Sequence, residues 1–179
     1  MPTHVLMLRG INLGPSRRVP MADLRALFTD AGYHDVRTYV QSGNVVLSAS
    51  GPVDDVEREG RRLISERFGF DVPVVGRTAT QLAAVVKRNP LGDVAADPKR
   101  YQVSFLSANL AADVVGALKD AAAESERVVV HGREVYAWHP AGVARSKLWN
   151  ALAGKGLGVT ATARNWTTVT TLLEMAGGA

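Results

Sequence analysis

The chain is organised around one short stretch, Arg9-Gly10-Ile11-Asn12-Leu13-Gly14. The almost wholly apolar run His4–Leu8 comes directly before it, which is typical of a strand in the middle of a sheet. Glycine, polar and basic residues follow at once, so a buried strand ends here and a loop begins. This boundary gives the first element of the pattern that predicts the fold.

The residues after this loop predict a βαββαβ order. Pro20 opens a helix whose apolar residues recur on one face, and Gly32 ends it. The predicted elements that follow are a strand at 36–40, a two-residue turn at Ser42-Gly43, a strand at 45–47, a helix from Pro52 to Gly69, a strand at 70–75 and a helix at 80–88. This is the ferredoxin-like order, in which the fourth strand lies at an edge and tolerates Pro73.

The same pattern restarts in the second half, after a segment at 90–100 that has no periodicity and is predicted to be a linker. The predicted elements there are a strand at 101–106, a helix from an Asn109 cap to about 122, a hairpin of 128–131 and 134–138 around Gly132-Arg133, a helix at 145–152, a loop at 154–158, a strand at 159–163 and a helix at 165–175. We therefore predict an α+β protein made of two ferredoxin-like βαββαβ units, each followed by an extra helix. The predicted units are residues 1–89 and residues 101–179.

Composition excludes several classes of site. Apolar residues make up 46% of the chain, which is enough for a packed core, and there is no cysteine. Without cysteine there is no disulfide framework, no thiolate metal site and no cysteine nucleophile. No apolar run approaches the ~20 residues of a membrane helix, and Arg9 and Asn12 interrupt the early apolar run. We expect a cytoplasmic protein with no membrane partner.

The net charge of +4 is unevenly distributed. Residues 1–22 contain no acid and three bases, Arg9, Arg17 and Arg18. Residues 135–173 contain no acid and four bases, Arg145, Lys147, Lys155 and Arg164. The rest of the chain therefore carries 14 bases (21 − 7) against all 17 acids. Positive charge without acidic neighbours favours a binding site for an anion.

Topology predicts a first polar cluster at one end of the first sheet. In βαββαβ the end of strand one lies beside the first hairpin, because strands one and three are antiparallel neighbours. The residues expected to meet there are Arg9, Asn12, Arg17, Arg18, Gln41, Ser42 and Asn44. Guanidinium, amide and hydroxyl groups suit a phosphate, a carboxylate or the edge of a nucleobase. The alternative is that the asparagines only satisfy turn backbone.

A second cluster is predicted at two helix starts in the second half. Its members are Arg145, Ser146, Lys147, Arg164 and Asn165. Helix N-termini attract anions, and basic side chains there oppose the helix dipole unless an anion is bound. The alternative is that Asn165 only caps its helix and that Trp166 belongs to the core.

Other motifs do not support a more specific chemistry. The loop at 154–158 lacks the Walker A spacing, and the stretch at 10–14 lacks the GxGxxG pattern. The histidines are scattered and predict surface or strand positions rather than a metal site: His4, His34, His131 and His139. No serine stands in a nucleophile-elbow pattern. We predict no cofactor and no metal.

Four stretches resemble a known family: LRGINLG at 8–14, VPMADLR at 19–25, YVQSGNVV at 39–46, and RSKL at 145–148 with TATARNW at 160–166. Together they are similar to the bacterial domain-of-unknown-function family numbered 1697. The resemblance implies a ferredoxin-like, two-part architecture and no assigned activity. Pro15-Ser16-Arg17 departs from it, since the family leads us to expect a glycine-rich, lysine-containing turn there.

These observations favour a protein that binds a phosphate-bearing ligand, either a nucleotide or single-stranded nucleic acid, through the two clusters. One alternative is an enzyme on a small anionic substrate, with Arg9 and Lys147 as charge clamps. Another is a structural or interaction protein whose unusual loops serve domain docking. Whether the protein is an enzyme, and its oligomeric state, stay open at this point.

Overall fold

In the computed structural model, which describes residues 1–178, the first half of the chain forms a four-stranded antiparallel sheet with three helices. This first repeat comprises β1 (Thr3–Leu8), α1 (Met21–Asp30), β2 (His34–Tyr39), β3 (Asn44–Ser48), α2 (Val53–Phe68), β4 (Val74–Thr78) and α3 (Ala79–Arg88). The strand order is β2-β3-β1-β4, with every neighbouring pair antiparallel. This is the ferredoxin-like arrangement followed by an extra helix.

The second half repeats this order. The second repeat comprises β5 (Tyr101–Leu106), α4 (Ala112–Ala121), β6 (Arg127–His131), β7 (Glu134–Trp138), α5 (Lys147–Ala153), β8 (Ala161–Asn165) and α6 (Trp166–Met175), with a 3₁₀ turn at Lys155–Leu157. Its strand order, β6-β7-β5-β8, matches the first sheet. The predicted fold class, two ferredoxin-like units each followed by an extra helix, is confirmed.

Packing divides the chain into two compact units. Residues 85–170 form one of them, and residues 1–84 together with those from 171 onward form the other. Within residues 1–178, every helix falls short of the length and apolarity that crossing a bilayer requires.

The core of the first repeat lies between the sheet and α1 and α2. Leu6 and Leu47 of the sheet are fully buried with Leu24 and Phe28 of α1. Gly60 lies inside α2, where a Cβ would be 3.2 Å from Leu6 Cδ1. Glycine costs a helix about 1 kcal/mol relative to alanine, and here it allows α2 to approach the sheet closely.

The second core is built in the same way from the second sheet and its helices. Its fully buried members include Leu106 and Val135 of the sheet with Leu148 of α5, and Leu118 of α4 packs beside them.

Two predicted features of the first repeat were wrong. Pro73 does not lie in β4 but directly before it, because an imide nitrogen cannot donate to the ladder. Its carbonyl accepts the Arg9 N–H at 2.9 Å. The first hairpin has a four-residue loop, 40–43, because Tyr39 pairs with Asn44; the sequence predicted two residues.

Three predicted boundaries in the second repeat were also wrong. Asn109 is not a cap, since α4 begins at Ala112 after an Ala111 N-cap with no side-chain bond. Arg145 precedes α5, whose N-cap is Ser146. The last strand runs two residues later than predicted, after the 3₁₀ turn extends the glycine-rich loop. The two-residue Gly132-Arg133 turn is confirmed, because His131 pairs with Glu134.

Candidate functional site

The loop after β1 and the loop of the first hairpin lie side by side at one end of the first sheet. Leu8 N donates to Gly43 O at 2.9 Å, and Asn12 Nδ2 donates to Gln41 O at 2.8 Å. We call residues 9–18 together with 40–43 the loop face. It contains the first predicted cluster except Asn44, which adjoins it at the start of β3.

Asn12 fixes the conformation of the first loop. Its Nδ2 donates to Val19 O at 2.9 Å as well as to Gln41 O, and its Oδ1 accepts the Val19 N–H at 2.9 Å. Both amide hydrogens are therefore used inside the protein. The side chain ties the loop to its own far end and to the hairpin.

Arg17 is a second fixing point. Its Nε donates to Gly10 O at 2.9 Å and its Nη2 to Asp71 O at 2.8 Å. Its guanidinium lies 4.9 Å from the centre of the Phe70 ring, a cation–π distance. Arg17 O also accepts the Asn12 N–H at 3.1 Å. The residue shapes the loop while its side chain stays exposed.

Asn44 and Gly43 fix the conformation of the hairpin loop. Asn44 is fully buried, and its Nδ2 donates to Tyr39 O at 2.9 Å and to Ser42 Oγ at 3.3 Å. A Cβ on Gly43 would lie 2.7 Å from Ile11 Cδ1, and its φ is +87°. Only glycine combines this φ with this approach.

Backbone strain is concentrated here. Among residues 1–178, five non-glycine residues have positive φ, and three of them belong to the loop face: Asn12 (56°), Arg17 (57°) and Val40 (51°). A β-branched residue such as Val40 rarely adopts this conformation. Strain of this kind persists where surrounding bonds enforce it and is frequent at functional sites.

The outward surface of the loop face is apolar and basic. Leu13 is 86% exposed and Val40 is 50% exposed. Residues 13–18 are all exposed, Arg18 among them, while Arg9 is half-buried. Asp71, whose backbone carbonyl accepts from Arg17, forms an ion pair with Arg61 at 2.5 Å. The bond from Arg61 holds the pKa of Asp71 below its ordinary value, with a smaller contribution from Arg17.

Three members of the second cluster are engaged within the protein. Arg164 is 8% exposed, and its Nη1 donates to Thr162 Oγ1 at 2.7 Å and to Ala163 O at 2.9 Å. Burial lowers its pKa to about 10. Asn165 Oδ1 accepts the Thr168 N–H and Ser146 Oγ accepts the Trp149 N–H, so both cap helices. The other two members, Arg145 and Lys147, are exposed. A ligand role for this cluster stays a prediction.

The sequence did not indicate a buried cluster around Glu126. Its Oε2 accepts from Ser146 Oγ at 2.6 Å and contacts His139 Nδ1 at 2.5 Å, while Oε1 accepts the Ala123 N–H at 3.0 Å. Burial alone would raise the pKa of Glu126, but these hydrogen bonds together lower it. The surface or strand position predicted for His139 was wrong, since it is fully buried after β7. No spacing rule links residues 126, 139 and 146, so no motif could have identified them.

This cluster does not have the geometry of a nucleophilic triad. In such a triad the serine contacts histidine Nε2 while the acid contacts Nδ1. Here Ser146 Oγ lies 3.3 Å from His139 Nδ1, and both groups bond to the same carboxylate oxygen. His139 Nε2 is buried and has no hydrogen-bond partner among residues 1–178. The cluster instead fixes the loop between β7 and α5.

A cavity of about 430 Å³ adjoins this cluster. Its lining includes Glu126, Arg145 and Ser146, and the other lining residues are small: Ala123, Ser125, Ala141, Gly142 and Ala144. The fixed loop therefore forms part of a concave surface with a carboxylate, a hydroxyl and a guanidinium at its wall.

Comparisons with known proteins agree with the fold and are silent on ligands. A family model described as "Protein of unknown function (DUF1697)" matches residues 1–136. A solved structure of the conserved bacterial protein SP0830 from Streptococcus pneumoniae is similar to this chain, with a TM-score of 0.80, 20% sequence identity and coverage of 98% of each chain. At that identity the likeness concerns the fold alone. No curated protein matches the chain.

Proposed function

The chain belongs to the DUF1697 family of proteins of unknown function, and we propose from its own side chains that it binds a phosphate-bearing ligand at the loop face. The ligand is a nucleotide or a segment of single-stranded nucleic acid. Both present the same phosphate oxygens, and the experiment below distinguishes them.

The observation that carries the proposal is a basic, strained loop held in one conformation. Asn12 and Arg17 fix the backbone through five hydrogen bonds from or to their side chains. A loop that is already ordered loses little conformational entropy when a ligand binds, so more of the contact energy appears as affinity. Strain maintained at such a cost is more often found at binding sites than elsewhere.

The side chains that the loop presents fit a nucleotide. Guanidinium groups form paired hydrogen bonds with phosphate oxygens, and Arg18 is exposed next to Arg17. Leu13 and Val40 supply apolar surface against which a base or a ribose can pack. The absence of acids from residues 1–22 leaves this positive charge without an acidic neighbour in that segment.

Binding to labelled single-stranded RNA and DNA oligomers, measured by fluorescence anisotropy over a range of salt concentrations, tests the proposal. If several phosphates are contacted, log K falls with log salt by about 0.7 for each contact. Mononucleotides and dinucleotides are compared in a thermal-shift assay, where binding raises the melting temperature. If nucleotides raise the melting temperature of the protein and oligomers do not bind, the ligand is a nucleotide and not single-stranded nucleic acid.

Arg18→Ala is the informative variant, because its side chain is exposed and has no part in fixing the loop. We expect weaker binding and a salt slope smaller by about 0.7. Arg58→Ala is the matched control, since it removes the same charge from an exposed position on α2. Equal losses in the two variants, or no response to any oligomer or nucleotide at low salt, would contradict the proposal.

A further inference from the structure

The cavity beside Glu126 has a fixed polar wall. Glu126 and Ser146 are 8% and 7% exposed, and Ser146 is held by both Glu126 and the Trp149 N–H. These groups are therefore already positioned without a ligand. A wall of this kind differs from surface side chains that must be ordered when a ligand binds.

Glu126 retains capacity for one more hydrogen bond. A carboxylate has about four acceptor positions. Ser146, His139 and the Ala123 N–H occupy three of them, two on Oε2 and one on Oε1. The remaining position on Oε1 can accept from an N–H or ammonium group of a ligand.

Arg145 provides the opposite charge at the same cavity. Its side chain is exposed, and it forms no ion pair with a carboxylate among residues 1–178. Because it directly precedes the fixed Ser146, its backbone position is set as well. A guanidinium in this state is ready to pair with a carboxylate or phosphate group.

The remaining lining residues leave room for a small molecule. They are alanines, a serine and Gly142, whose missing Cβ has no atom within 4 Å. The volume of about 430 Å³ lies within the range of about 300–1,000 Å³ that small-molecule sites occupy.

We propose that this cavity binds a small zwitterion, with its anionic group on Arg145 and its ammonium group on Glu126. An amino acid or a short ω-amino acid is the simplest molecule of this class. This proposal does not rest on the loop face, since the two sites share no residue and differ in the ligand they select.

A series of ω-amino acids measures the spacing between the two charges. We would titrate glycine, β-alanine, 4-aminobutyrate and 6-aminohexanoate into the full ¹⁵N-labelled chain and follow amide resonances. We expect saturable shifts of Gly142, Ser146 and Trp149 with one chain length preferred, and no comparable shift of Asn12. Butyrate and butylamine, which carry one charge each, should bind more weakly than the preferred zwitterion.

Variants separate specific binding from a general charge effect. Arg145→Ala should weaken the preferred zwitterion by about tenfold, the loss expected for one charge-assisted hydrogen bond. Ala144→Phe should abolish binding by filling the cavity from an exposed position. Lys155→Ala, which removes the same charge from an exposed residue outside the lining, should leave affinity unchanged.

The proposal would be overturned if no member of the series shifted the three amides. It would also be overturned if Lys155→Ala and Arg145→Ala weakened binding equally, or if Ala144→Phe left binding intact. Failure of the zwitterion series has no bearing on binding of oligomers or nucleotides at the loop face, so the two proposals fail separately.

Discussion

The connection between the first strand and the first helix differs in length between the two repeats. Residues 9–20 join β1 to α1, whereas residues 107–111 join β5 to α4, which is twelve residues against five. Connections of two to six residues are usual between a strand and a helix. The fold therefore does not require the longer loop, and the additional seven residues are available for another purpose.

The hairpin loop is also longer in the first repeat than in the second. Gly132-Arg133 closes the second one in two residues, with glycine at a φ of 55°. The first uses four residues and places Val40, which is poorly suited to it, at a φ of 51°. Both departures from the simplest connection occur at the same end of the first sheet. Binding residues occur disproportionately on loops carried by a rigid scaffold, which is why we propose the ligand site at these two departures.

The repeats nevertheless share a detail beyond topology. Arg77 of β4 pairs with Val5 of β1, and Arg164 of β8 pairs with Val103 of β5. Both arginines are buried, and each donates from Nη1 to the carbonyl of the residue before it, at 2.8 and 2.9 Å. Arg164 therefore corresponds to Arg77 of the first repeat, which belongs to neither predicted cluster.

The largest effect on stability should come from the glycine of the first hairpin. Gly43→Ala places a methyl group against Ile11 and Leu8 at a positive φ, and we expect a loss of about 3 kcal/mol in the free energy of unfolding. Gly132→Ala has the same backbone cost but no atom within 4 Å of the new methyl group, so about 1 kcal/mol is expected. Urea unfolding of both variants measures the difference. Equal losses would show that the packing of the first hairpin on the β1 loop is unimportant.

The next largest effect on stability concerns the side chains that hydrogen-bond to the β1–α1 and β5–α4 connections. Asn12→Ala removes three hydrogen bonds from the long loop, and about 2 kcal/mol should be lost. Ser107→Ala removes one, from the Thr160 N–H to Ser107 Oγ, and about 1 kcal/mol is expected. The same denaturant titrations test this, and a larger loss for Ser107→Ala would contradict the role given to Asn12.

The sequence predicted the two hairpins unequally well. Apolar periodicity and turn residues were enough to identify the strands, the helices and the short second hairpin. They could not reveal that Val40 would adopt a positive φ, because bonds from Asn12 to Gln41 and from Asn44 to Tyr39 enforce that conformation from outside the turn. The cluster of Glu126, His139 and Ser146 was missed for the same reason, since only the folded chain brings these residues together.

The two repeats should also show a smaller difference in stability, which depends on pH. The folded pKa of Glu126 is lowered, so its contribution to stability is present above the unfolded value of about 4.5 and is lost as pH falls through the folded value. Asp71 in the first repeat has a lowered pKa too, but it is exposed and its effect is screened. Hydrogen exchange between pH 6 and pH 3 should show β5 amides losing protection before β1 amides. Ser146→Ala should reduce this difference, and simultaneous loss of protection in the unaltered chain would contradict it.

The smallest effect on stability belongs to Arg18→Ala. An exposed side chain outside the hydrogen bonds of the loop should change the free energy of unfolding by no more than about 0.5 kcal/mol. Binding of an oligomer or nucleotide should nevertheless weaken. A variant that loses binding and keeps its melting temperature would separate the role of the long loop in ligand contact from its role in the fold. Loss of both together would point to a purely structural loop.

Because of the hydrogen bonds around Arg17, cleavage of the loop by trypsin can be used to measure how often the loop opens. Arg17 and Arg18 stand side by side in an exposed segment, where trypsin would normally cut. Cleavage after Arg17 requires its side chain to leave Gly10 and Asp71 and its carbonyl to release the Asn12 N–H. When opening and closing are fast relative to cleavage, the rate of nicking follows the population of the open form. Limited digestion therefore measures how often the loop opens in solution, and a ligand that binds the closed loop would protect this peptide bond in proportion to its occupancy.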